Sequence, residues 1–116
     1  MNSVEKQILT KVVQELVVEG YLITVDYERG FDSEPENRNL TNLAEITDAA
    51  DATDECHLMV DREELEEGPY EGFVYFIWGN GNSGRDCISD YSTNLEGIIG
   101  PILEWVDCAD LQLKGN

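Results

Sequence analysis

The apolar positions at the start of the chain fall on one helical stripe. Val4, Ile8, Leu9, Val12, Val13, Leu16 and Val17 recur at spacings of three and four, the period that lines side chains along one side of an α-helix. This spacing predicts a helix from Asn2 to Glu19, with Asn2 or Ser3 as its cap, Glu5 at the positive end of its dipole and Gly20 as the left-handed stop. The pattern then switches to period two. Tyr21, Ile23, Val25 and Tyr27 share one face of a strand, and Leu22, Thr24 and Asp26 share the other.

The polar segment Glu28 to Asn39, with Gly30 and Pro35, reads as a turn or long loop, with a short edge strand just before Leu40. Thr41 is the expected N-cap of a short helix through Leu43, Ile46, Ala49 and Ala50 that runs out at Asp51 to Glu55. Alternation returns at Cys56 to Asp61, placing Cys56, Leu58 and Val60 inward and His57, Met59 and Asp61 outward. After an acidic connection, Arg62 to Glu71, the run Gly72 to Trp78 is the most apolar in the chain. It predicts a central strand covered on both faces.

A glycine-rich turn, Gly79 to Gly84, leads into Asp86 to Tyr91 and makes a hairpin. Helical spacing closes the chain at Leu95, Ile98, Ile99, Ile102, Leu103 and Val106. Pro101 is expected to divide that helix into two pieces near Gly100, since a proline beyond the first turn costs about 3 kcal/mol. This order predicts an α+β fold in one domain over residues 1–116: an antiparallel sheet of about four strands with helices packed mainly on one face.

Composition adds that the chain has enough material for a core, being 41% apolar with Trp 2, Tyr 5 and Phe 3. A chain of this length buries roughly two-thirds of its unfolded surface. Its three cysteines, Cys56, Cys87 and Cys108, have no C-x-x-C spacing, which argues for a reducing, cytoplasmic setting and against a disulfide framework or a zinc site. All three read as small buried apolar residues, apart from any chemistry. The start carries no basic stretch followed by a continuous apolar run, so no signal peptide is expected, and no apolar segment has the length of a membrane span.

Charge changes the picture most. Asp and Glu number 25 against seven Lys and Arg, a formal net charge of -18. Such a field repels nucleic acid and anionic membranes and attracts basic surfaces, while self-repulsion opposes the compact state. Solubility needs far less charge. The acids are also bunched: Glu45, Asp48, Asp51, Asp54, Glu55 and Asp61 lie between Arg38 and Arg62 with no basic residue among them, and Glu63, Glu64, Glu66, Glu67 and Glu71 come next. Asp86, Asp90, Glu96, Glu104, Asp107 and Asp110 continue the pattern.

The expected partner is therefore a basic protein surface of a nucleic-acid-binding host complex, met by Asp48, Asp51, Asp54, Glu55, Glu63, Glu64, Glu66, Glu67 and Glu71, with Tyr70 and Trp78 as anchors. Neither nucleic acid nor a membrane is an expected direct partner. An immunity or antitoxin-like protein that neutralises one basic toxin is the alternative, and it would use a compact acidic patch. Salt adaptation of a whole proteome is the bland source of such acidity.

Signals for catalysis are weak. Gly79, Gly81 and Gly84 spell G-x-G-x-x-G, but a strand-like segment comes after them where a phosphate loop needs a helix N-terminus. His57 and Cys56 are adjacent and so point to opposite faces of a strand, which keeps them from acting as base and nucleophile; His57 is expected at the surface. Asp48, Asp51 and Asp54 recur every third residue without the glycine and closing Glu of a calcium loop, so neither metal nor cofactor is expected. No enzyme is expected; one would need a deep pocket, for instance at Asp86, Asp90 and Tyr91.

From Ile77 to Glu96 (IWGNGNSGRDCISDYSTNLE) the chain resembles small proteins carried by bacterial plasmids and phages, in which a G-N-x-G turn precedes an I-S-D-Y-[ST]-T-N-L-E run. The opening helix, Gly20 and strand look similar too, so the resemblance covers about two-thirds of the chain, with a departure at Arg29 to Asn39. It brings no catalytic residues and implies a mobile-element setting. In size and acidity the chain also resembles phage anti-defence proteins, including anti-CRISPR and anti-restriction proteins that imitate DNA.

Overall fold

Helix α1 (Ser3–Val18) begins at a capping box: the Asn2 side chain accepts the Glu5 N–H at 2.8 Å, and the Glu5 carboxylate accepts the Asn2 N–H at 2.8 Å. It ends where Gly20, at φ 94°, donates to the Val17 carbonyl and Tyr21 donates to the Leu16 carbonyl. Those two bonds satisfy carbonyls that the helix leaves open, and the positive φ is why glycine stands there. The computed structural model describes residues 1–26, 37–65, 69–79 and 83–109.

Four strands come after α1, interrupted by one helix and closed by another. They are β1 (Leu22–Asp26), β2 (Glu55–Asp61), β3 (Gly72–Ile77) and β4 (Ile88–Tyr91). Helix α2 (Leu43–Ala50) lies between β1 and β2, and a 3-10 turn (Thr93–Leu95) runs into α3 (Glu96–Cys108). The sheet order is β1-β2-β3-β4 with every neighbouring pair antiparallel. This is the α+β arrangement expected from the sequence.

One face of the sheet holds the core. Ile23, Val25, Cys56, Leu58, Val60, Val74 and Phe76 are fully buried there against Ile8, Leu9, Val12 and Leu16 of α1, Ile46 of α2, and Ile99, Ile102 and Val106 of α3. Helix α1 packs on both α2 and α3, so the three helices form one layer. Glu5 ties that layer to the sheet, since its second carboxylate oxygen accepts the Gly79 N–H at 2.6 Å beyond the end of β3.

Several expectations need correction. The cap of α2 is Asn42, whose side chain accepts the Glu45 N–H at 3.1 Å, rather than Thr41. The edge strand before Leu40 is a single bridge to Ile23. Strand β3 alternates buried and half-buried residues instead of being covered on both faces, because all described helices lie on one side. Pro101 neither ends nor opens a helix. It sits inside a continuous α3, four residues after Gly97, whose carbonyl the proline ring crowds.

Three side chains also sit elsewhere than expected. His57 is buried at 9% exposure, with its ring stacked on Tyr75 at 4.2 Å and an interplanar angle of 5°. Cys108, on the last turn of α3, is exposed, while Cys56 and Cys87 are buried. Trp78 is a core residue whose indole N–H donates to the Ala50 carbonyl at 2.8 Å, so it is no surface anchor. Tyr27, the loop from Glu28 to Glu36, Glu66, Glu67, Gly81 and Asp110 lie outside the described residues.

The glycine-rich connection joins the antiparallel strands β3 and β4, with residues 80–82 outside the described residues. Gly79 and Gly84 have φ of 77° and 81°, and a Cβ on Gly84 would come within 2.6 Å of the Asn2 side chain. Beyond this turn the chain enters β4 rather than a helix, so no phosphate-binding helix end is presented.

Candidate functional site

The predicted acidic residues divide between the two ends of the sheet. Asp48, Asp51, Asp54 and Glu55 are all exposed where α2 ends and β2 begins. Glu63, Glu64 and Glu71 are exposed in the connection beyond the other end of β2. Six strand steps separate Glu55 from Asp61, about 20 Å at the usual rise. The sequence places both clusters close together along the chain; the extended strand sets them apart in space.

The second cluster is held in shape by polar clasps. The Asp61 carboxylate accepts the Glu63 N–H at 3.1 Å and the Glu71 N–H at 2.9 Å, closing the connection at both ends. Asn39, at φ 56°, exchanges two bonds with Leu65, accepting its N–H at 3.1 Å and donating to its carbonyl at 2.9 Å. Glu63 and Glu64 are thus displayed on an anchored segment. Tyr70, the other expected anchor, is half-buried.

Seven Lys and Arg cannot neutralise 25 Asp and Glu, wherever they are placed. The described ion pairs join the Met1 amine to Asp51 (3.0 Å), Lys11 to Glu15 (3.2 Å) and Arg62 to Glu71 (3.7 Å). Two arginines serve helix ends. Arg62 donates to the Glu19 carbonyl at the end of α1, and Arg85 donates to the Val106 carbonyl and, at 2.9 Å, to the Ala109 carbonyl at the end of α3. None of the three helices carries a basic residue in its own last turn, so residues from distant connections complement two of those dipoles. At α2 the same position is taken by Asp48 and Asp51; the Met1 amine meets Asp51, while Asp48 places a carboxylate at the negative end of the dipole, which stability alone disfavours.

The face of the sheet away from the helices brings together residues in a way that the sequence did not reveal, with Thr24, Asp26 and His57 buried on it. Strand register places Asp26, His57, Tyr75 and Asp90 in one row across all four strands. Met59, Phe73 and Ile77 flank the row, all half-buried. Glu55 accepts the Tyr75 hydroxyl at 2.8 Å, and Asp90 is exposed. The clue in the sequence was alternation within GFVYFI, hidden because both sets of alternate positions are apolar or aromatic.

No known family, curated protein or solved structure matches this chain. The chemistry of its surface carries the functional argument.

Two hollows, of about 500 and 380 Å³, run along α1 and α3 beside Trp105, lined mainly by Lys6, Gln7, Thr10, Lys11, Gln14 and Pro101, away from Asp86, Asp90 and Tyr91. The Tyr91 hydroxyl donates to Glu96, and this bond raises its pKa above the ordinary range, the opposite of what a phenolate nucleophile needs. Burial pushes Cys56 and Cys87 up to about 12, with smaller contributions from the Cys87 charge at Cys56 and from the Glu5 charge at Cys87, so neither is a ready thiolate. No three His, Cys, Asp or Glu side chains among the described residues are grouped to hold a metal ion, Asp48, Asp51 and Asp54 included. No described helix is long and apolar enough to cross a membrane.

Proposed function

We propose that this protein binds the basic nucleic-acid-binding surface of a host defence or nucleic-acid-processing complex and blocks it, its fixed carboxylates standing in for phosphates. The observation that carries this reading is the use of the cations: Arg62 and Arg85 donate to backbone carbonyls at helix ends, Arg62 also meeting Glu71, while Asp48, Asp54, Glu63 and Glu64 stand exposed. Asp48 stands exposed in the last turn of α2, against the dipole, at a cost to stability, which is intelligible if a partner supplies the missing cation.

The spread of carboxylates over both ends of a strand favours an extended contact over the compact patch of a toxin-neutralising protein. Proteins that grip nucleic acid carry arrays of Lys and Arg along its backbone, and two acidic groups about 20 Å apart engage such an array at separate points. A rigid scaffold loses little freedom on docking. The resemblance of the Ile77 to Glu96 segment to plasmid- and phage-borne proteins supports a target among host defences.

The test is capture of host proteins on the immobilised chain at low salt, elution by salt, and assay of each purified captured protein for nucleic-acid binding with and without the chain. Nucleic-acid-binding proteins are expected, displaced by duplex DNA, with affinity falling at least tenfold between about 50 and 200 mM salt. Capture that persists unchanged through that salt range, or captured proteins whose nucleic-acid binding the chain leaves intact, would refute the proposal.

A further inference from the structure

Strand β4 is the last strand of the sheet on the side away from β1. The outer edge of such a strand presents backbone donors and acceptors with which a strand of another molecule can pair. The ladder shows which groups face outward: Ser92, just past β4, donates to the Phe73 carbonyl at 3.0 Å, and Asp90 pairs with Tyr75. Alternation then turns the Tyr91 N–H to the outer edge. Among the described residues no strand meets it there. The Asp90 carboxylate accepts it instead, at 2.8 Å.

A second feature interrupts the same edge. Tyr75 stands opposite Asp90 and Phe76 opposite Ile88, so Ser89 is an extra residue in β4 without an opposite number on β3. A bulge of this kind bends the strand and breaks the even spacing that a further strand needs. The other edge of the sheet is covered by the chain itself. Ile23 donates to the Leu40 carbonyl at 2.9 Å, Leu40 donates back to the Ile23 carbonyl at 2.7 Å, and the Asn39 N–H donates to the Thr24 hydroxyl at 3.1 Å.

Charge guards these edges only in part. Repulsion between two chains of net charge -18 keeps copies apart at low ionic strength, but about 0.5 M salt screens it within a few ångströms. The bond at Tyr91 and the bulge at Ser89 keep their geometry as salt rises. We infer that Asp90 and Ser89 together lock the β4 edge against pairing with a second copy of the chain when its charge is screened. The carboxylate occupies the outward donor, and the bulge denies the register. This lock is independent of what the acidic clusters bind.

The experiment compares the full chain with variants by sedimentation equilibrium and amide hydrogen exchange in about 20 mM and about 0.5 M salt. Asp90→Asn removes the charge but keeps an oxygen that accepts the Tyr91 N–H, whereas Asp90→Ala removes both. Deleting Ser89 in the Asp90→Ala chain makes the β3–β4 register continuous and leaves Ile88 and Tyr91 on the core side of the sheet. Wild type and Asp90→Asn should stay monomeric at both salts, and the combined variant should associate at high salt at least about tenfold more tightly than wild type. In Asp90→Ala the Tyr91 amide should exchange roughly threefold or more faster than in Asp90→Asn at low salt, a readout that stands even if the combined variant does not fold. Equal exchange at Tyr91 in the two single variants would overturn the inference. So would a folded combined variant that stays monomeric at high salt, or a wild type that associates there as strongly as that variant.

Discussion

At the scale of single residues, Cys56 and Cys87 show how burial alone sets chemistry. Both thiols are held neutral up to about 12, whereas an unfolded cysteine ionises near about 8.5. Between those values the unfolded chain binds fewer protons than the native one, so stability is fully present below the lower value and falls as pH rises toward the upper one. The slope should reach about 1.4 kcal/mol per pH unit for each thiol. Thermal melts across this alkaline range check it, and a Cys56→Ala, Cys87→Ala double variant should melt lower but with a flatter pH dependence; an equally steep variant would sink the assignment. The sequence identified both cysteines as core. It misplaced Cys108, because a position on the last turn of a helix is buried only if something packs over that turn.

Among the elements, α3 is the one whose continuity could not be foreseen. A proline in mid-helix is rare enough that two helices are the better expectation, yet α3 runs unbroken through Pro101. Replacing Pro101, which is exposed, with alanine restores a backbone donor and should stabilise the fold by about 1–3 kcal/mol in urea denaturation. Destabilisation instead would show that the proline ring sets the path of the chain toward Trp105. The capping of α1 by Asn2 and Gly20 was legible because its signals are local. The complements of the α1 and α3 ends were not, since Arg62 and Arg85 arrive from remote connections.

For the whole molecule, the net charge of -18 makes folding a contest between core burial and self-repulsion. Raising salt from about 10 mM to about 0.5 M shortens the screening length from about 30 Å to a few ångströms. The melting temperature should then rise by at least about 5 °C by calorimetry. A melting temperature that salt leaves unchanged would mean the acids are balanced locally, and the case for an electronegative binding surface would go with it.

Helix and strand periods, local caps, glycine stops and total charge are written into short stretches of chain, so the sequence by itself determined most of the elements, the α+β class and the acidity. Which acids stand together, which arginine meets which carbonyl, and that His57, Tyr75 and Asp90 share a row were decided only in three dimensions. Strand register joins residues far apart in the chain, and no local pattern records where a partner strand will lie.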